Sequence, residues 1–270
     1  MEFVKVQEHV SILKSNKFVG ETPHIDNSTI TFKGENNIIY CDKNVRLKDS
    51  TIVFHGDNSV VYLSESVHEY KINVSMCHNS VMYFGKNNYI NDKIMLVLSE
   101  EKNIFIGDDC MFSKDVWIRI ADPHLIYSVS DHKRINHTKS VYIGDHVWVG
   151  QHAMILKGTN IGSGSIVGAM ALVANKKIPS NVSVAGNPVR VISKDIFWTG
   201  ACVHMYKEEA TKKSENFNSD QYIYNKNDSE KVDFSTIEEN FLNMEAAEIK
   251  LNYLRFELKN NKNRFFVDNK

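Results

Sequence analysis

Ile143, Val149, Ile155, Ile161, Val167 and Val173 stand six residues apart without a break, and a small residue follows four of them at Gly144, Gly150, Gly162 and Gly168. A period of six fits neither the 3.6 of a helix nor the two of a plain strand. One aliphatic residue per six describes a short strand followed by a corner. Its side chain points into a narrow interior and stacks on its equivalent in the next coil, and the small residue after it is expected to let the chain turn. Three such sides close a triangular coil, so the chain is expected to be an all-β solenoid. Ile106, Phe112 and Ile118 keep the same step upstream. The ladder alone is core and carries no chemistry.

A second repeat precedes it. Residues 28–40, STITFKGENNIIY, align without gaps on residues 50–62, STIVFHGDNSVVY, at an offset of 22, and the same ending returns at Asn79–Tyr83 and more faintly at Asn103–Ile106. Four turns of one solenoid follow, with the extra residues of each turn placed in corners. Thirteen Gly and four Pro are too few to punctuate these turns. The ladder stops after Arg190, and residues 207–233, rich in Lys, Glu, Asn, Ser and Asp, read as a solvated linker. Ser235 and Glu238 have capping-box spacing, and Ile237, Phe241, Met244, Ala247, Leu251, Leu254 and Leu258 then recur at three and four residues. One helix of about 23 residues is expected, its apolar stripe buried on the solenoid flank or against its own copies, the flank being favoured. The resulting division is a lead-in (1–27), the solenoid (28–192) with a loop at 121–140, an extension (193–233) and a C-terminal helix (234–260).

With 42% hydrophobic and 24% charged residues, the 270-residue chain is excluded from disorder as its main state. Thirty-two basic against 33 acidic residues leave a charge of -1, so no net positive field draws nucleic acid. Cys41, Cys77, Cys110 and Cys202 form no C-x-x-C pair, which argues against a zinc ribbon, a redox motif or a disulfide scaffold. The start, MEFVKVQEHV, lacks a signal-peptide core, and no apolar run nears the roughly 20 residues that span a bilayer. These features are those of an unexported, cytoplasmic protein.

Between Ile118 and Ile143 the ladder gives way to RIADPHLIYSVSDHKRINHTKSVY, which holds three of the 11 histidines, His124, His132 and His137, beside Asp122 and Asp131. Loops on a rigid scaffold are favoured places for catalytic groups. His132 and His137, five apart, keep open a zinc site of carbonic-anhydrase type, which needs a third histidine in tetrahedral geometry. His146 and His152, six apart, are expected to face solvent. A purely structural solenoid is the other alternative, and it leaves the His-rich interruption unexplained.

The run IGDHVWVGQHAMILKGTNIGSGSIVGAMALVANKKIPSNVSVAGNPVRVI, residues 143–192, resembles the left-handed β-helix acyltransferases of the hexapeptide-repeat superfamily, closing on AGNP and a basic residue. The pieces IFIGDDCMFSKDVWIRIADPHLIY and KRIN are similar, more narrowly, to O-acetyltransferases that decorate capsular and other bacterial surface polysaccharides, sialic acid polymers among them. The resemblance spans residues 28–198. It implies a homotrimer with acetyl-CoA as donor in a groove between neighbouring subunits, and direct transfer to a sugar hydroxyl without a metal. Carried over residue by residue, it implies His124 as general base in the Asp122-Pro123-His124 setting and Asp122 as the group fixing its tautomer. Trp148 is implied against the pantetheine arm. Gly150, Gly168 and Ala169 are implied as small groove positions, and Lys176 and Arg190 as cations toward the nucleotide phosphates. A neutral imidazole suits the task because a sugar hydroxyl is a poor nucleophile until its proton is taken.

Two departures from the family pattern stand out. Ala174-Asn175-Lys176-Lys177 precedes Ile178-Pro179, one residue longer than usual, so Lys176 is chosen over Lys177; Met170 replaces a small residue and is expected to crowd the groove. An acetyltransferase of a small molecule or of a sugar amine is the alternative within the enzyme class. The long N-terminal solenoid favours a long or carrier-linked glycan.

Overall fold

The computed structural model describes residues 1–269, and its core is the predicted ladder. Ile106, Phe112 and Ile118 pair in parallel with Ile143, Val149 and Ile155, and these pair in turn with Ile161, Val167 and Val173. All nine side chains are fully buried. Each such rung contributes about 1.5–3 kcal/mol by leaving water. The strands stack into three faces of a left-handed parallel β-helix. Trp117–Arg119, Met154–Leu156 and Leu172–Val173 lie on the first face, Val141–Ile143, Asn160–Ile161 and Lys177–Ile178 on the second, and Trp148–Val149, Ile166–Val167 and Ser183–Ala185 on the third. The chain visits them in that order, turn after turn.

The upstream repeat is the same solenoid with a longer coil. Thr29–Phe32 pairs residue for residue with Thr51–Phe54, and Ile38–Cys41 with Val60–Leu63, each at the offset of 22. Coiling begins earlier than the repeat indicates, because Lys17–Gly20 already pairs in parallel with Ile38–Cys41, inside the segment read as a lead-in.

The corners explain why so few glycines suffice. Asn36, Asn58, Asn79, Asn87, Asp109, Asp115, His146, His152 and Met170 all take positive φ, the left-handed conformation that Asn and Asp tolerate best after Gly. The glycines after the rungs serve another purpose than turning. A Cβ on Gly150 would lie 2.5 Å from the Ala169 nitrogen of the next coil, so its missing side chain permits coil-to-coil approach.

The C-terminal helix is broken where one continuous helix was expected. Helix α1, Glu208–Lys213, lies in the extension; α2 spans Phe234–Leu242 and α3 Ala247–Asn252, separated by an extended Ala246, and a wide π-type turn follows at Tyr253–Glu257. Asp233, not Ser235, caps α2 by accepting from the Ser235 nitrogen. Glu238 leaves the capping box to accept from Lys102 Nζ at 2.7 Å and Tyr142 Oη at 2.7 Å. Ile237, Phe241, Ala247, Leu251 and Leu254 bury themselves on the second face against Ile38, Val60, Val81 and Phe105, the flank placement expected of the stripe.

Candidate active site

The interruption leaves the solenoid at the corner between the first and second faces, where the pairing offset grows to 37 against 18 in the coil below. It folds as a hairpin: Ile135 N donates to Ile126 O at 3.0 Å and Ser128 N to Lys133 O at 2.9 Å. Its base is pinned from two sides. Glu100 takes a bidentate pair from Arg134 at 2.7 and 2.9 Å and a hydrogen bond from Thr138 Oγ1, and these donors hold its carboxyl well down, at about 2. On the other side Lys157 Nζ donates to Asp122 Oδ2 at 2.6 Å and to the Asn136 carbonyl at 3.0 Å.

His124 sits on this frame with its ring exposed. Its carbonyl accepts from Asn136 Nδ2 at 2.7 Å, and the Asn136 Oδ1 accepts from Ile126 N at 3.0 Å, so one buried amide shapes the turn that carries the imidazole. Asp122 is not bonded to that imidazole. Its carboxylate is taken by Lys157, whose ammonium keeps it ionised, and tautomer fixing by Asp122 is therefore replaced by anchoring of the loop. Asn136, Lys157, Glu100 and Arg134 were not singled out in the sequence as site residues. Only the KRIN run, with Arg134 and Asn136, pointed toward them.

The remaining expected site residues lie elsewhere on the prism. Trp148 is on the third face, 36% exposed, with its indole nitrogen donating to Ser113 Oγ at 3.3 Å. Gly150, Gly168 and Ala169 form the corner between the third and first faces. A Cβ on Gly168 would meet Ala185 Cβ at 3.0 Å, so its smallness, like that of Gly150, serves the close stacking of the coils. Arg190 begins Arg190–Ser193, which runs back antiparallel on the third face. Lys176 lies at the corner of the loop, and Lys177 is paired with Asn160 on the second face beside Asp233, so the two lysines point to different surroundings. Ile178 follows Val173 by five residues, so against the six-residue step this corner is one residue short. Met170 turns outward and is 70% exposed. Thus one chain separates two groups: His124, Asp122 and Lys176 at one corner, and Trp148, Gly150, Gly168, Ala169 and Arg190 on the third face and its edge. The first face lies between them, about 10 Å for three residues at roughly 3.3 Å each.

His146, expected to face solvent, is 6% exposed. Trp198 stacks on it at 3.9 Å between ring centroids, and the two residues exchange ring-nitrogen to carbonyl contacts of 3.0 Å each. Burial pushes its pKa down. Trp198 also reaches Trp148 at 5.9 Å, and within the stretch read as a linker Tyr222 stacks on His146 at 4.6 Å and Tyr224 N donates to Asn181 Oδ1 at 3.1 Å, so the extension is in part docked on the solenoid. Among the described residues no three His, Cys, Asp or Glu side chains converge as a metal site requires.

Residues 140–175 match the model of the bacterial transferase hexapeptide family (six repeats). The chain is similar to a polysialic acid O-acetyltransferase of Escherichia coli O1:K1 / APEC, 42% identical over 38% of the chain and 33% of that protein. It is also similar to a polysialic acid O-acetyltransferase of Neisseria meningitidis, 32% identical over 47% of the chain and 59% of that protein. The matches therefore span about a third and about three fifths of these curated relatives' lengths. The solved structure of the polySia-specific acetyltransferase NeuO superposes with a TM-score of 0.62 at 29% identity, over 74% of the chain and 93% of NeuO. No helix among the described residues is long and apolar enough to cross a membrane.

Proposed function

We propose that this hexapeptide-repeat protein is an O-acetyltransferase that moves the acetyl group of acetyl-CoA to a hydroxyl of an acidic surface polysaccharide of the sialic acid type, or of its sugar building block. The observation that carries this reading is the exposed His124 on a hairpin pinned at both ends, in a chain similar to polysialic acid O-acetyltransferases. His124 takes the proton of the attacking hydroxyl as its oxygen bonds to the thioester carbonyl carbon, the C–S bond breaks, and the imidazolium returns the proton to the departing CoA thiolate. Lys157, Asn136 and Glu100 hold the imidazole in place.

Trp148 and Arg190 on the third face, with Lys176 at the loop corner, fit a CoA thioester. Trp148 offers an open indole face, and Arg190 and Lys176 make no ion pair among the described residues, leaving their charges free for phosphates. Since one chain holds His124 and Lys176 at one corner and Trp148 and Arg190 on the third face, the site is built between neighbours of a homotrimer, the loop corner of one subunit reaching the third face of the next. The hairpin's exposed Leu125, Ile126, Val129 and Ile135 supply apolar surface for that contact. Bound acetyl-CoA supplies the activated acetyl group.

His124→Ala tests the base. Its kcat with a sialic acid oligomer is expected to fall by about 10² to 10⁴, with acetyl-CoA affinity unchanged. Near-normal turnover in that variant would remove His124 from the reaction.

A further inference from the structure

The C-terminal segment arches over the second face and leaves a cleft of about 320 Å³ beside the corner of the second and third faces. Its floor is a ladder of tyrosines, one per coil: Tyr40 stacks on Tyr62 at 4.4 Å, and Tyr62 meets Tyr83 as a tilted pair at 5.0 Å between centroids. The π-type turn at Tyr253–Glu257 forms the opposite wall and brings two successive side chains, Arg255 and Phe256, to the rim. Phe256 is 68% exposed, an open aromatic plate on the surface of a helical cap that otherwise buries its rings.

The charges in this cleft are unevenly used. Asp42 accepts from Tyr40 Oη at 2.8 Å and from the Glu65 nitrogen, and Asp108 is paired with Arg264 at 2.9 Å. Arg264, 2% exposed, is held by Asp145 as well. Lys86 and Arg255 face the same space and make no ion pair among the described residues. The Arg255 guanidinium instead lies over the Tyr40 ring at 5.2 Å and the Phe256 ring at 4.9 Å. Asp108 is therefore committed to Arg264, Asp42 has its oxygens taken by a phenol and a backbone N–H, and Lys86 and Arg255 stand without an ion pair next to phenol edges and an open aromatic face.

We propose that this cleft binds one carboxylate-bearing sugar residue, at a site separate from the acetyl-transfer centre. Arg255 presents a planar pair of donors to the carboxylate, Lys86 adds a second charge, Tyr62 offers its hydroxyl to the ring substituents, and Phe256 takes the C–H face of the sugar. The inference rests on the reading of the acceptor as an acidic glycan: the cleft holds a distant unit of the chain whose nearer unit is acetylated. It lies over the early coils, which gives the long N-terminal solenoid a role in gripping a polymer.

The test uses the full-length protein without acetyl-CoA and a sialic acid trimer carrying a diazirine, with labelled peptides mapped by mass spectrometry. Label is expected in residues 254–264, lowered about tenfold in the double variant Lys86→Ala/Arg255→Ala and absent with a carboxyl-reduced trimer. Label confined to the 121–140 loop, or equal in the double variant, overturns the proposal. Both side chains are exposed, and equal melting of the variant and wild type checks that the fold is kept. In turnover, KM for a sialic acid polymer is expected to rise about tenfold in the double variant while KM for a dimer stays constant. An unchanged polymer KM removes the cleft and leaves the acetyltransfer reading standing. Cleft labelling in a protein that acetylates no sialic acid acceptor removes that reading and leaves the cleft.

Discussion

Lys157 is the residue on which the geometry of the histidine loop most depends. Its ammonium joins Asp122 to the Asn136 carbonyl, and Asn136 in turn holds the carbonyl of His124. Lys157→Met leaves Asp122 unpaired and frees the loop base. A base displaced by about 1 Å loses on the order of 10² in rate, so kcat is expected to fall by about 10 to 100-fold with KM for acetyl-CoA unchanged and partial recovery in Lys157→Arg. Single-turnover kinetics distinguish this from a loss of folding, which would lower active-site titre and leave kcat per site intact. The same scale explains His146: a corner position with positive φ places its ring where Trp198 covers it, and the covering aromatic comes from 52 residues away.

Among elements, the hairpin is tied by a carboxylate whose titration is open to test. Glu100 is held at about 2 against an ordinary 4.5, a depressed acid, so its hold on Arg134 and Thr138 is complete above pH 4.5 and lost as pH falls toward 2. Pepsin cleavage between Leu125 and Ile135, normalised to an unstructured peptide, is expected to rise across that window in wild type. Glu100→Gln should be cut quickly at pH 4.5 already; equal pH profiles for the two proteins would refute the clamp. Helix α3 carries the opposite case. Lys250, 1% exposed, donates to the carbonyls of Asn58 at 3.0 Å and Asn79 at 2.9 Å, and burial pushes its pKa down to about 8 from 10.5. Between those values the unfolded chain binds the extra proton, so stability from this group rises with pH. The difference in Tm between Lys250→Met and wild type, measured calorimetrically, is expected to move in favour of wild type from pH 8 to 10.5.

For the whole molecule, the separation of His124 from Arg190 within one chain makes the proposed trimer a condition of activity. Light scattering should give three times the chain mass. Arg190→Ala is expected to weaken acetyl-CoA binding, and His124→Ala to stop transfer. Mixed trimers from equal amounts of the two variants should regain about one quarter of wild-type activity at low acetyl-CoA, because one pairing in four joins an intact histidine to an intact arginine. No recovery in mixed trimers would place the whole site in one subunit.

The ladder and the 22-residue repeat were legible because a stacked solenoid repeats its packing demand at a fixed interval: every coil must supply an aliphatic residue at the same place. Sequence periodicity therefore determined the fold and the register, down to the pairing of Ile106 with Ile143 across the loop. His124 was visible as a titratable group in the one break of that pattern. The groups that hold it were not, since Glu100 and Lys157 belong to regular coils and meet the loop only after the coils stack. The break between α2 and α3 was likewise hidden, because the apolar stripe continues through Met244 while the backbone becomes extended at Ala246. Above all, the use of charge was decided by tertiary structure. Composition counts Arg255, Arg264, Lys86 and Lys157 alike, and only the folded surfaces decide which of them finds a carboxylate and which is left facing a cleft.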